Sequence, residues 1–215
     1  MSQFDDISVP IESRIAIGFA RIGTAMRGQA WERAVAQGVT PTQADILALL
    51  DARGSALRLS LVAEQLAISA ATTSDAVSTL VSKGLVEKAR AADDGRAIAL
   101  SLTAAGAAMA AEVAGWSGFL AAAAATLDAT DQAGLLRLLI KLIRAMQERG
   151  DIAAARMCVT CKYFEPHRYK NPSLPHYCHF VKAPFGDRHL RLDCAEHEAA
   201  DSVTMQRNWA IYSGT

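Results

Sequence analysis

Four cysteines and five histidines are the most concentrated chemistry in this 215-residue chain, and all nine lie after residue 157. Cys158 and Cys161 form a Cys-x-x-Cys pair; after sixteen intervening residues comes Cys178, and after fifteen more Cys194. A Cys-x-x-Cys turn converges two thiolates on one metal, and two more cysteines on short loops complete a four-sulfur donor set. Cys158, Cys161, Cys178 and Cys194 are therefore the candidate metal ligands. The first expectation for their cofactor is a structural zinc tetrathiolate; the alternative is an iron–sulfur cluster, which four thiolates also hold. Disulfides or unliganded thiols are the third reading, disfavoured where thiols are kept reduced. His176 and His179 flank Cys178, and His197 follows Cys194; a histidine in such a place either replaces one sulfur or hydrogen-bonds to a thiolate from outside the ligand set.

The segment that must position these groups is short and irregular. It carries Pro166, Pro172, Pro175 and Pro184 and little apolar periodicity, so its folding energy would come in part from a metal. Tyr163, Phe164, Tyr169, Tyr177, Phe180 and Phe185 are expected to pack a small core over the site, with Trp209 and Tyr212 docking the end of the chain. Alanine crowds the residues before 156. The composition changes near 151–157, which divides the chain into residues 1–152 and a Cys/His-rich extension, 153–215.

The first region has a regular pattern. Ile11, Ile15, Phe19, Ile22 and Met26 recur at spacings of three and four, which predicts a helix over 10–37 ended by Gly38. A second helix is expected over 42–51, with Ile46, Leu47 and Leu50 inward and Pro41 at its start. Two short helices follow, over 60–66 with Ser60 as N-cap and over 70–83 with Ser69 as N-cap and Gly84 after its end. Val77, Leu80 and Val81 give the second a buried face. So short a connection makes a helix-turn-helix. Residues 85–90 and 96–102 then read as strands around an Asp-Gly tip, a β-hairpin. A long alanine-rich helix is expected from Thr103 to about Ala125. Another begins at Asp128 or Thr130, with Leu135, Leu136, Leu139, Leu142, Ile143 and Met146 on a wide apolar face. The fold class is mostly α (α+β): a winged helix-turn-helix with long helices at both ends. Their surplus of apolar surface predicts a homodimer.

Several blocks resemble the MarR family of bacterial regulators. They run from Pro41-Thr42-Gln43 through Val62-Ala63-Glu64-Gln65-Leu66, Ser69-Ala70-Ala71-Thr72-Thr73-Ser74 and Leu80-Val81-Ser82-Lys83-Gly84-Leu85-Val86. Asp94-Gly95-Arg96 and Leu102-Thr103-Ala104-Ala105-Gly106 complete the set. The resemblance covers roughly residues 10–150. It implies a dimer held by the first and last helices, the second helix of the motif in the major groove and the hairpin wing toward the minor groove. The DNA-binding candidates are then Ser69, Ala71, Thr72, Ser74, Asp75 and Ser78 on the reading helix, and Lys88, Arg90 and Arg96 on the wing. Short hydroxyl side chains near a helix N-terminus suit phosphate contacts. Asp75 departs from the family pattern, which has a DNA-touching arginine there; an aspartate repels phosphate or accepts from cytosine. In the tail, the spacing and Tyr163-Phe164 resemble the cluster segment of high-potential iron–sulfur proteins.

Composition narrows the classes further. The net charge is zero, and residues 53–103 carry six Lys/Arg against five Asp/Glu, so binding to DNA would rest on few contacts. A protein-interaction adaptor that keeps the winged helix without reading DNA is the competing class. An enzyme is not expected: four cysteines close the metal site, no His-x-Glu precedes the Cys-x-x-Cys, and no Gly-rich phosphate loop or nucleophile elbow is present. The expected partners are an operator in double-stranded DNA, a second copy of the chain and a small-molecule effector. No apolar run of 18 residues and no signal-peptide pattern is read from the sequence, so the expected location is the cytoplasm, away from membranes.

Overall fold

The computed structural model describes residues 8–91, 96–114 and 118–214. Asp94 and Gly95 of the wing tip lie outside the described residues. The chain forms two compact units, residues 1–56 with 74–119, and residues 57–73 with 120–215. The compositional change at 151–157 falls inside the second.

Helix α1 spans Ile11–Ala36 and is followed by Gly38 at φ +67°. Helix α2, Pro41–Arg53, opens with a reciprocal cap: the Gln43 N–H donates to Thr40 Oγ1 and the Thr40 N–H to Gln43 Oε1, both at 3.2 Å. Ile46, Leu47 and Leu50 are buried as their spacing predicts. A two-residue strand β1, Leu57–Arg58, leads into α3, Leu59–Gln65, and the chain turns through Ala67 at φ +51° into α4, Ala70–Ser82. The Ser69 cap on α4 is as expected, its Oγ accepting the Thr72 N–H at 3.0 Å. The expected Ser60 cap is not found: α3 starts one residue earlier, Arg58 takes the cap position, and no side chain caps it. Val77 and Leu80 are buried, but Val81 lies on the flank and is exposed.

Strands β2, Val86–Arg90, and β3, Ile98–Leu102, pair antiparallel from Val86 opposite Leu102 to Arg90 opposite Ile98. Helix α5, Ala104–Ala114, packs on α2 with Gly106, Ala110 and Val113 inward. The small residues let the helix axis come close. Thr103 fixes the exit from the hairpin: its Oγ1 donates to the Gly84 carbonyl at 2.7 Å and accepts the Gly106 N–H at 2.9 Å. Residues 104–124 also contain an 18-residue window apolar enough to cross a membrane by length and composition, although Glu112 interrupts any continuous apolar run. Its alanines supply that hydropathy, and its first half has a face packed in the core.

Helix α6, Gly118–Ala124, begins in the first unit and continues into the second, where α7 spans Ala129–Glu148 with Asp128 as its cap. The tail is folded on α7. Strands β4 (Phe164–Glu165), β5 (His176–Cys178) and β6 (Ala183–Phe185) form an antiparallel sheet, and α8 (Ser202–Ser213) closes the chain. One core joins Ile140 of α7 to Met157, Val159, Cys161, Phe164, Leu190 and Tyr212. Lys141 holds the end of α8 through the Ser213 carbonyl, 2.9 Å, and the Arg144 guanidinium lies over the Trp209 ring at 5.4 Å.

Candidate functional site

Helix α4 turns Val77, Leu80 and the hydrogen-bonded Thr73 inward and leaves Ala71, Thr72, Ser74, Asp75 and Ser78 exposed. Spacings of three and four put Ala71, Ser74, Asp75 and Ser78 on one face. The hydroxyls are not idle. Ser69 Oγ and Thr72 Oγ1 are 2.8 Å apart, and Ser78 Oγ donates to the Ser74 carbonyl at 2.7 Å.

The wing carries its cations in order. Lys88 and Arg90 are two residues apart on β2 and so share a face of the hairpin. Lys88 Nζ donates to Ser78 Oγ at 3.2 Å, joining wing strand and reading helix, and Arg90 Nη1 lies 3.5 Å from the Arg96 carbonyl oxygen. All three basic residues are exposed. Lys83, the other nearby cation, is committed elsewhere: its ammonium donates to the Gly38 carbonyl at 2.6 Å and to Gln43 Oε1 at 3.0 Å, locking the end of α4 to the start of α2.

The four cysteines, 36 residues apart from first to last in sequence, line one cavity of about 460 Å³. Cys158 and Cys161 bracket a single 3₁₀ turn, in which the Cys161 N–H donates to the Cys158 carbonyl at 3.0 Å. Cys178 sits on the central strand opposite Phe164 and Ala183. Cys194 arrives on the loop before α8, its N–H bonded to the Arg156 carbonyl at 3.0 Å. No two are joined in a disulfide. Sulfur meets donors here: the Arg191 backbone N–H points at Cys158 Sγ, 3.2 Å, and the Arg191 guanidinium reaches Cys194 Sγ at 3.5 Å. Burial pushes the Cys158 thiol up to about 11, helped by the charge of Cys194, Cys161 and Cys178 and opposed by the Arg191 N–H. Among the described residues, no three Cys, His, Asp or Glu side chains are placed to hold one metal ion.

The histidines serve mainly to build the walls. His179 is bonded to Glu165 at 2.8 Å and His197 to Thr160 Oγ1 at 2.9 Å. His176 is fully buried among Phe164, Phe185 and Tyr212. Its Nδ1 accepts the His167 N–H at 3.2 Å, so its proton sits on Nε2 and is donated to Asp187 Oδ1 at 2.9 Å. Burial holds its pKa below the ordinary histidine value of 6.5, against the pull of the Asp187 carboxylate. The unfolded chain then binds a proton that the folded chain refuses. Stability of this unit is complete above the unfolded pKa and falls as pH drops through it. Denaturant melts stepped from pH 7.5 to 5.5, followed by Trp209 fluorescence, should show that loss, and His176→Gln should flatten it; a profile identical in both proteins would rule the residue out as the cause.

Sequence reasoning put Ala71, Thr72, Ser74, Asp75 and Ser78 on a helix and Lys88 and Arg90 on a strand, where the structure has them, but Arg96, expected at the start of a strand, lies in the turn before β3, and Arg191, whose backbone N–H and side chain both address the cysteines, was missed. No spacing rule marks a single arginine between two cysteines. Asn208 was also missed; it is buried and its amide donates to the Phe164 carbonyl at 2.7 Å, tying α8 to the cysteine wall.

Residues 37–97 match the model of the MarR family. No curated protein matches the chain. Among solved structures, MepR of S. aureus in its DNA-binding conformation is 19% identical with a TM-score of 0.56, the likeness covering 61% of this chain and 98% of that one. The S. aureus MepR–DNA complex is 20% identical with a TM-score of 0.54, covering 60% and 96%. Wild-type apo MarR of E. coli is 20% identical with a TM-score of 0.50, covering 63% and 97%. At such identities the likeness is one of fold, the winged helix of MarR and MepR. All four cysteines lie beyond the family match.

Proposed function

We propose that this chain is a DNA-binding transcription regulator of the MarR type, acting as a homodimer, with the four-cysteine tail as its metal-binding part. The observation that carries the DNA reading is the exposed face of α4, small and hydroxyl-bearing, linked through Ser78 to the cations of the wing. A helix with no large side chain on its outer face can approach base edges closely, and the wing cations meet phosphate. A neighbour in fold, S. aureus MepR, has been crystallised as a complex with DNA, which supports the same use of the fold here. The chain leaves large apolar side chains exposed on α1, including Ile11, Ile15, Phe19, Ile22 and Met26, and Leu135, Leu138 and Leu142 exposed on α7. A second copy is the occupant proposed for these stripes. A small-molecule effector would act by favouring one geometry of that dimer. For the tail, zinc and an iron–sulfur cluster are the two occupants its four sulfurs admit.

The test is selection of bound duplexes from a random library, followed by affinity measurements across salt. Lys88→Ala, Arg90→Ala and Arg96→Ala should each weaken binding about 5–10-fold for all sequences and reduce the salt slope by about 1 per lost phosphate contact. Asp75 and the near-balance of charge over residues 53–103 favour the adaptor as a second reading. An adaptor enriches no sequence and shows no salt-dependent DNA binding.

A further inference from the structure

We propose that Cys158, Cys161, Cys178 and Cys194 ligate a cubane iron–sulfur cluster, one thiolate to each iron, in preference to a single zinc ion. The inference deepens the reading of the tail as metal-binding and is independent of DNA recognition. It stands first on the size of the space. A tetrahedral zinc with Zn–S bonds of about 2.3 Å draws its four sulfurs to about 3.8 Å from one another. Four thiols so gathered leave no cavity between them. Here all four cysteines border one cavity of about 460 Å³, while no three donor side chains among the described residues are placed for one ion. A cubane keeps its irons and sulfides inside the ring of thiolates and needs such a space.

The surroundings agree. Phe164, Phe180, Val181 and Phe185 line the cavity with apolar surface, Phe164 buried and Phe180 and Val181 open to solvent. The N–H of Arg191 addresses Cys158 Sγ at 3.2 Å and its guanidinium addresses Cys194 Sγ at 3.5 Å; N–H donors to ligand sulfurs and a nearby cation offset the negative charge of a four-thiolate cluster. His176, His179 and His197 are held in hydrogen bonds to Asp187, Glu165 and Thr160; beside the four sulfurs, the cavity wall carries the Glu196 carboxylate, which accepts from Cys194 Sγ at 3.8 Å. The one histidine on the cavity wall is His189.

The experiment uses the full chain, stripped of metal under anaerobic conditions and divided in three. One part receives ferrous and ferric iron in equal amounts with sulfide, one zinc alone, and one the same iron and sulfide with an equal amount of zinc. The expected result is a brown protein with about four irons and four sulfides per chain in the first and third parts. Cys178→Ala and Cys194→Ala should each fall below one iron per chain, and His189→Ala should keep the wild-type iron content. Circular dichroism of α1 to α7 in the same samples shows that the variants remain folded. One tightly held zinc that excludes iron overturns the cluster while leaving a metal site in place. Two irons per chain, or full iron in Cys178→Ala, overturns the cubane. Failure to take up either metal overturns both the cluster and the metal-binding reading.

Discussion

Ile15→Asp combined with Phe19→Asp is expected to give a folded monomer whose DNA affinity is at least ~100-fold weaker than that of the parent chain. Ile15 and Phe19 are 52% and 42% exposed in the single chain, so the substitutions disturb no contact that holds α1 together. In a dimer the same positions lie in an apolar seam, where each unpaired carboxylate costs several kcal/mol. Two reading helices bound to two half-sites gain from effective concentration by about 10²–10⁴-fold, and a monomer forfeits that gain. Sedimentation of the variant and fluorescence anisotropy on the selected duplex measure both effects. Leu138→Asp with Leu142→Asp tests the stripe of α7 in the same way. A variant that stays dimeric and binds with parental affinity would show that these stripes are not the interface.

The first unit was legible in the sequence because each of its elements is set by local chemistry. Gly38 and Gly84 lie at φ +67° and +69°, the left-handed conformation that ends a helix, and each was visible as a stop signal. Ser69 was readable as a cap because a short hydroxyl before an apolar-periodic run has one common use. Ser60 looked alike and misled, since Leu59 is at the first helical position and the hydroxyl falls one residue inside. Val81 misled in the opposite way: its apolar character suggested burial, but the inward direction of α4 runs through Thr73, Val77 and Leu80, and Val81 lies one residue past it.

The tail was legible only in its donors. Three-residue strands carry too little alternation to be recognised, and β4 to β6 are held by register contacts such as Phe164 opposite Cys178, which no local rule specifies. The attachment of the tail to α7 was equally hidden. Leu136, Ile140 and Ile143 on α7 pack into the tail core, while Leu135, Leu138 and Leu142 form the neighbouring exposed stripe. A sequence reading gives one wide apolar face where the structure has two narrower ones with different partners. Cys161 belongs to the core that contains Ile140, so the cysteine wall and the helix that carries part of the proposed dimer surface are packed in one core.

Gly106→Ala is expected to destabilise the first unit by at least ~3 kcal/mol, lowering the melting temperature by roughly 6–12 °C in a chain of this size. A Cβ at this position would stand 1.8 Å from the Leu85 carbonyl oxygen and 2.9 Å from its carbon. Both are backbone atoms, so no side-chain rotation relieves the clash. Leu85 cannot withdraw, because its carbonyl also accepts the Thr103 N–H at 3.2 Å and its own N–H is bonded to the Leu80 carbonyl at 3.0 Å. Relief would have to come from moving α5 off the hairpin, which opens the contact of Ala110 and Val113 with the core. Gly28→Ala provides the opposite case: a Cβ there meets nothing within 4 Å, and Gly28 lies mid-helix in α1 on the side away from the Ile15–Phe19 stripe. That substitution should stabilise by about 0.5–1 kcal/mol through helix propensity alone. Thermal melts of the two variants therefore move in opposite directions from the parent. If Gly106→Ala melts at or above the parental temperature, the close approach of α5 to Leu85 is not what makes this glycine necessary, and the Thr103 cap must fix the exit from the wing without it.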